Sequence, residues 1–190
     1  MTLLILGLVL FLGIHSISIV APAWRDAQLA RHGQAVWKGA YSLTAGVGLA
    51  LLIYGYDVAR QSPVVLYAPP SALRHLALLL LLPVFVLLLA VYLPGRIKTA
   101  AKHPMLLATK LWAVAHLLAN GTLADVLLFG GFLAWAVADR ISLKRRPARA
   151  VPAAPASPAN DAIALVGGLV LYAGFALWGH AWLIGVSPFG

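Results

Sequence analysis

The chain has 190 residues, of which 62% are hydrophobic and only 10% charged. An ordinary soluble domain carries about 25% charged residues, and the apolar residues here come in long blocks that identify an integral membrane protein. The formal charge of +9 does not indicate nucleic acid, because the basic residues lie between the apolar blocks and form no soluble basic face. Without cysteine, disulfides, thiolate metal sites and covalent C-x-x-C-H haem attachment are excluded.

Six apolar blocks run 1–21, 37–56, 72–93, 104–120, 123–140 and 161–185. Each is near the ~20 residues needed to cross the hydrocarbon, with the fourth and fifth short. The fold class expected is all-α, a polytopic transmembrane bundle of six spans. Residues 1–143 make a five-helix core, 144–160 a basic and Pro/Ala-rich linker, and 161–190 a C-terminal helix of the same domain.

In chain order, Ala21-Pro22-Ala23 after the first block resembles a cleavage site. No Lys or Arg precedes Arg25, so the positive n-region of a signal peptide is missing and the block reads as a retained helix. Pro69-Pro70-Ser71 predicts the start of the third helix with Ser71 as N-cap, and Pro83 inside it predicts a kink. Pro104 suits the first turn of the fourth helix and pushes His103 out of helical geometry. Gly121 suits a left-handed C-cap, and Thr122 with Asp125 matches a capping box. The fourth and fifth helices should then form a tight antiparallel hairpin. The stretch SLKRRPARAVPAAPASPAN reads as an extended linker, leaving the last helix loosely tethered.

Charge asymmetry sets an expected orientation. The loops after the first, third and fifth helices hold Arg25, Arg31, Lys38, Arg96, Lys98, Lys102, Arg140, Lys144, Arg145, Arg146 and Arg149, against Arg60 and Arg74 on the other side. This positive-inside bias places the first set in the cytoplasm and both termini in the periplasm of a bacterial inner membrane. The run Lys144–Arg149 reads as an orientation signal in contact with anionic lipid.

Histidines carry the remaining chemistry. An ionisable group within an apolar span marks a function with a nameable partner. His116 shares a stripe of the fourth helix with Thr109, Trp112 and Asn120, so that stripe faces protein or a cofactor. It is read either as an interhelical hydrogen-bonding group or as an axial ligand to haem iron, since a flat porphyrin fits between bundled helices. His15 sits beside Gly13, Ser16 and Ser18, a small-residue patch that admits close approach, and the same two readings apply. His75 and His180 fit interfacial anchoring, the latter between Trp178 and Trp182. His32 reads as solvated, and His103 as a contact for an anion or lipid phosphate. Depth ranks the pairs differently. His75, His116 and His180 each lie about four residues, roughly 6 Å, inside one end of their helices, and His15 lies deeper from the other side. A His116–His180 or His75–His116 pair therefore rivals His15–His116. The carboxylates Asp26, Asp57, Asp125, Asp139 and Asp161 all fall near helix ends, and there is no glutamate. No acid pair, phosphate loop, zincin motif or serine triad can be assembled.

The segments LGLVLFLGIHSISIVAP, WKGAYSLTAGVGLALLIYGY, LPGRIKTAAKHPMLLATKLWAVAHLLANGTLADVLLFGGFLAWAVADRISLKRR and WLIGVSPFG together resemble the NnrU family across nearly the whole chain. Bacterial members are associated with denitrification, in nitrite or nitric oxide metabolism. The plant zeta-carotene isomerase is similar in the same core and is a membrane protein holding haem b between two histidines. The resemblance implies non-covalent haem b with His15 and His116, the latter in W-x-x-x-H, as its ligands; the stripe then puts Trp112 and Asn120 beside it. The plant enzyme has a cysteine three residues before the second ligand. Here Ala113 stands there, so a switch to thiolate ligation is lost and carotenoid isomerisation is put in doubt. A weaker similarity links Lys102-His103-Pro104 to the R-H-P motif of membrane methyltransferases.

Three functions are therefore expected in order: a haem protein with a redox, nitric oxide-related or isomerase role; a non-enzymatic membrane factor supporting denitrification or electron-transfer partners; and a methyltransferase. The lipid bilayer is the common partner of all three.

Overall fold

The structure, a computed structural model, describes residues 1–146 and 151–189. Arg149 and the linker residues beside it lie outside that range. The chain is helical: α1 (Thr2–Val20), α2 (Pro22–Arg60), α3 (Ser71–Tyr92), α4 (Arg96–Ala101), α5 (Pro104–Ala119), α6 (Leu123–Ser142), α7 (Asn160–Gly174), a π-helical turn (Phe175–Gly179) and α8 (His180–Ile184). α1, α2, α3 and the continuous stretch Asn160–Ile184 are long and apolar enough to cross a membrane. α5 has 16 residues, and α6 carries Asp125, Asp139 and Arg140 in its 20. Along these spans large apolar side chains such as Leu43, Leu79 and Val170 stand 70%, 67% and 65% exposed, as lipid-facing residues do. The chain is a membrane protein.

Two compact units divide the chain, one from Met1–Tyr67 with Gly121–Ser142, the other from Ala68–Asn120 with Leu143–Gly190. In the first, α1 and α2 lie antiparallel with their backbones in contact. A Cβ on Gly7 would fall 2.6 Å from the Leu52 nitrogen, and one on Gly48 would fall 2.7 Å from the Phe11 nitrogen. Gly55 packs on the Leu3–Leu4 backbone in the same way. Gly48, Leu52, Gly55 and Ala59 recur at helical spacing and are all buried, so one smooth face of α2 receives α1. α6 closes this unit: Ala124 joins Leu4, Leu52 and Ala59 in the core, with Phe11, Tyr56 and Phe132 around them.

α2 holds the first difference from the sequence reading. The polar segment before residue 37 is helical from Pro22, and the 39-residue helix breaks only at Gly33 (φ 81°, ψ 164°). Pro22 suits the first turn, and Ala, Leu, Gln and Arg are good helix formers whatever their polarity. The sharp bend needs a positive φ, which glycine adopts without strain.

In the second unit α3 packs against α5 and α7. Val84, Leu87 and Ala108 form its core with Leu81, Leu111 and Trp112. α3 continues through Pro83 to Tyr92. α7 is firmly held, contrary to the loose tether expected. Gly168 lies so close that a Cβ would meet the Val86 nitrogen and Cα at 2.5 Å. The Tyr172 hydroxyl donates to the Leu78 carbonyl (2.9 Å). The Asp161 carboxylate accepts from the backbone N–H groups of Arg96 (2.8 Å) and Ile97 (3.0 Å). It thereby caps α4, a short helix the sequence reading took for loop. Buried Asn160 donates to the Pro94 carbonyl (2.8 Å) and the Pro155 carbonyl (3.0 Å).

Three local expectations change and two hold. Ser71 is the first residue of α3, and Pro70 is its N-cap. Gly121 is not left-handed, since positive φ among the described glycines occurs at Gly33 and Gly185. It is small because a Cβ there would collide with the Tyr67 carbonyl. The tight turn at Asn120–Thr122 exists, but it joins helices that pack differently: α6 on α1 and α2, α5 on α3. The Thr122–Asp125 capping box is present, and His103 precedes Pro104 with non-helical dihedrals.

Gly48→Ala and Gly168→Ala should each destabilise the protein by about 2 kcal/mol or more, because backbone has no rotamer with which to yield. Gly39→Ala, with open space around it, should be neutral or slightly stabilising. Thermal unfolding of the three variants in detergent tests this.

Candidate functional site

His15 and His116 are held in the same way. Each turns Nδ1 back on its own helix, His15 to the Phe11 carbonyl at 2.6 Å and His116 to the Trp112 carbonyl at 2.8 Å. A carbonyl can only accept, so Nδ1 carries the proton, and in the neutral ring the lone pair sits on Nε2. This is the tautomer, and the orienting bond, of a metal-ligating imidazole.

Thr109, Trp112 and His116 lie along one face of α5, and Asn120 is its C-cap residue. Thr109 Oγ1 donates to the Met105 carbonyl (3.0 Å), and Asn120 Nδ2 donates to the His116 carbonyl (3.0 Å). The Trp112 ring lies 5.2 Å from that of His116. Each polar side chain is thus satisfied four residues back along its own helix, which lets it sit in an apolar span.

His15 stands among rings: Phe11 at 4.3 Å, Tyr41 at 5.3 Å and Trp135 at 6.0 Å, the last edge-on at 90°. α1, α2 and α6 each contribute to this wall. Trp135 Nε1 is buried without a hydrogen-bond partner. Sequence reasoning missed both Tyr41 and Trp135, because neither is near His15 along the chain.

Among the described residues no group of three or more His, Asp or Glu could hold a bare ion. A haem supplies its own four nitrogens and needs only one or two imidazoles and apolar walls. Of the rival ligands, His180 also turns Nδ1 to a backbone carbonyl, that of Val186 at 2.7 Å, but toward the C-terminal segment and not back along its own helix; its ring lies 5.7 Å from that of Phe175. His75 and His32 are exposed, and His103 is the N-cap residue of α5. His15 belongs to the first unit, and His75, His116 and His180 belong to the second.

A second polar cluster joins residues the sequence did not connect. Asp125, only 4% exposed, accepts from the Tyr56 hydroxyl (2.5 Å), the Thr122 N–H (2.9 Å) and the Thr122 hydroxyl (2.6 Å). The Arg60 guanidinium lies 5.8 Å above the Tyr56 ring. The loop after α2 is pinned to the same turn, with Leu66 and Tyr67 donating to the Gly121 carbonyl at 2.9 and 3.1 Å and Leu123 donating to Val64 at 2.8 Å. Burial, and then the nearby Asp125 carboxylate, push the Tyr67 phenol above its ordinary pKa. The capping box was legible because it spans four residues. Tyr56 lies 69 residues from Asp125, and no local pattern points to it.

The family model described as NnrU protein matches residues 3–188. No curated protein and no solved structure matches the chain.

Asp125→Ala should lower stability by about 1–3 kcal/mol, since it strands the Tyr56 hydroxyl as well as the cap. Tyr56→Phe removes one bond and should lose about 1 kcal/mol. Thermal unfolding in detergent should rank them in that order.

Proposed function

The chain belongs to the NnrU family, and from that premise we propose that it is a multi-pass protein of the bacterial inner membrane that binds haem b through His15 and His116. The observation that carries this reading is the shared anchoring of the two rings. In both, a helix carbonyl holds Nδ1 and fixes the orientation of the ring, the kind of bond that orients metal-ligating imidazoles. Each such bond also raises the basicity of the imidazole.

The chain's own residues do three things in this reading. The Phe11 and Trp112 carbonyls fix the ring orientations. Phe11, Tyr41 and Trp135 wall His15 with aromatic rings. Ala113, fully buried, would offer no sulfur ligand, so His15 and His116 would be the groups that hold the iron. When bound, haem with two histidine ligands supplies one-electron chemistry, or binds a gas or substrate once a ligand leaves. That favours a redox or nitric oxide-related role over an isomerase role.

A second reading has its own support. Because Thr109, His116 and Asn120 each bond within α5, the stripe would persist without any cofactor in a non-enzymatic factor that supports denitrification proteins. A methyltransferase role has no such support: His103 and Pro104 serve as N-cap and first residue of α5.

Six spans are proposed, adding α5 and α6 to the four that qualify by length and composition. The basic residues around α4 then face the cytoplasm and both termini the periplasm.

Two measurements test these proposals. Protein purified after expression with ample haem should show a Soret band, and His15→Ala and His116→Ala should each abolish or shift it while His75→Ala and His180→Ala leave it unchanged. No Soret band in the parent protein, with stability loss alone in the variants, would replace the haem reading with the second one. Alkaline phosphatase should be active when fused after Phe189 and inactive when fused after Lys98; the reverse pattern overturns the orientation.

A further inference from the structure

α5 carries one lysine, Lys110, that nothing above employs. It lies six residues inside the Pro104 end of this apolar 16-residue helix, roughly 9 Å in at 1.5 Å per residue. The side chain is half-buried, and it makes no hydrogen bond or ion pair with any described residue. A charge at that depth is costly, and membrane proteins keep one where a partner answers it.

The surrounding chain offers Lys110 no carboxylate. Its compact unit, Ala68–Asn120 with Leu143–Gly190, contains a single acidic side chain, Asp161. That carboxylate already accepts from the Arg96 and Ile97 N–H groups at the start of α4. Lys98, by contrast, gives its ammonium to the Val91 carbonyl at 2.7 Å. The anion that answers Lys110 therefore comes from outside the chain, and direction and reach say which one. Helical side chains lean toward the N-terminus, so Lys110 points to the Pro104 end, over the turn that holds Leu106 and Leu107. A lysine stem of about 6 Å, laid on apolar surface, carries its ammonium most of the ~9 Å to the helix end. At that level the anions are lipid phosphates. A carboxylate from a partner helix would itself have to enter the hydrocarbon, whereas a headgroup phosphate already sits at the right depth.

Resting on α5 as a membrane span, we propose that Lys110 anchors a bound anionic phospholipid. Its ammonium donates to the headgroup phosphate, and the acyl chains run along the apolar surface of α5 beside it. The site is independent of His15, His116 and any haem.

The test titrates phosphatidylglycerol and phosphatidylcholine into the full-length protein in detergent and reads bound lipid by native mass spectrometry. A charge-assisted hydrogen bond predicts about a tenfold preference for phosphatidylglycerol in the parent protein. Lys110→Gln should erase the preference, and Lys110→Arg should keep it. Lys144→Gln removes an equal charge from an exposed position and should change nothing. An undiminished preference in Lys110→Gln overturns the proposal. So does an equal loss in Lys144→Gln, which reports diffuse attraction to a basic surface, or displacement of the lipid by inorganic phosphate, which reports a free-anion site. The lipid-free thermal midpoint of Lys110→Gln should hold, because the ammonium bonds nothing within the chain; a fall would assign it a structural role instead. The span is checked separately with single cysteines in this cysteine-free chain. Ser62 adjoins the loop pinned to Gly121 at the far end of α5, and Ala100 lies before its start. A membrane-impermeant maleimide applied to intact cells should label one of Ser62→Cys and Ala100→Cys and spare the other. If both react alike, the span reading fails first; if they differ, the lipid titration judges Lys110 alone.

Discussion

The structure depends on helix backbones touching. Between helices in lipid there is no water to expel, so association runs on van der Waals packing and a few hydrogen bonds. Gly7, Gly48 and Gly55 bring α1 and α2 together, and Gly168 does the same for α7 on α3. Once α1 lies flush on α2, Leu4 and Leu52 can bury with Ala124 of α6, and His15 is carried to Tyr41 and Trp135. The aromatic wall is thus a consequence of small residues placed about one to four turns away from it.

Polar groups obey a second constraint, that a buried one needs a hydrogen-bond partner. Most are satisfied within their own helix. Ser16, Thr44, Thr109, His15 and His116 all bond the carbonyl four residues back. The remaining ones bind the chain across long distances. Asp125 gathers Tyr56 and Thr122, and Asp161 caps α4 from the start of α7. Both aspartates were visible in the sequence as groups near helix ends, and both act at helix starts, where a carboxylate complements the free N–H groups. The difference is that Asp125 caps its own helix and Asp161 caps another. Against this background Trp135 Nε1, with neither a local nor a distant partner, stands out.

Legibility followed range. The Thr122–Asp125 box, the Pro104 start and the Thr109–Trp112–His116–Asn120 stripe involve residues within a few turns, so spacing revealed them. The helical character of Pro22–Gly33 and of Arg96–Ala101 was hidden because hydropathy reports lipid contact, and these segments are polar or short. Gly121 was rightly singled out for the wrong reason: it is glycine because the Tyr67 carbonyl occupies the space of a Cβ. The tether between α6 and α7 has the composition of a loose linker, yet α7 is fastened by contacts that composition does not record.

By itself, the sequence determined that this is a helical membrane protein of the NnrU family, where most helices begin and end, and that His15 and His116 are its unusual residues. Those properties arise from hydrophobic length, backbone capping and period, which act over a few residues at a time. Tertiary structure decided which helices touch, that Tyr56 meets Asp125, that α7 is held against α3, and that Trp135 faces His15. These depend on the fit of one helix surface to another, and complementary surfaces contributed by residues far apart in the chain leave no local pattern to read.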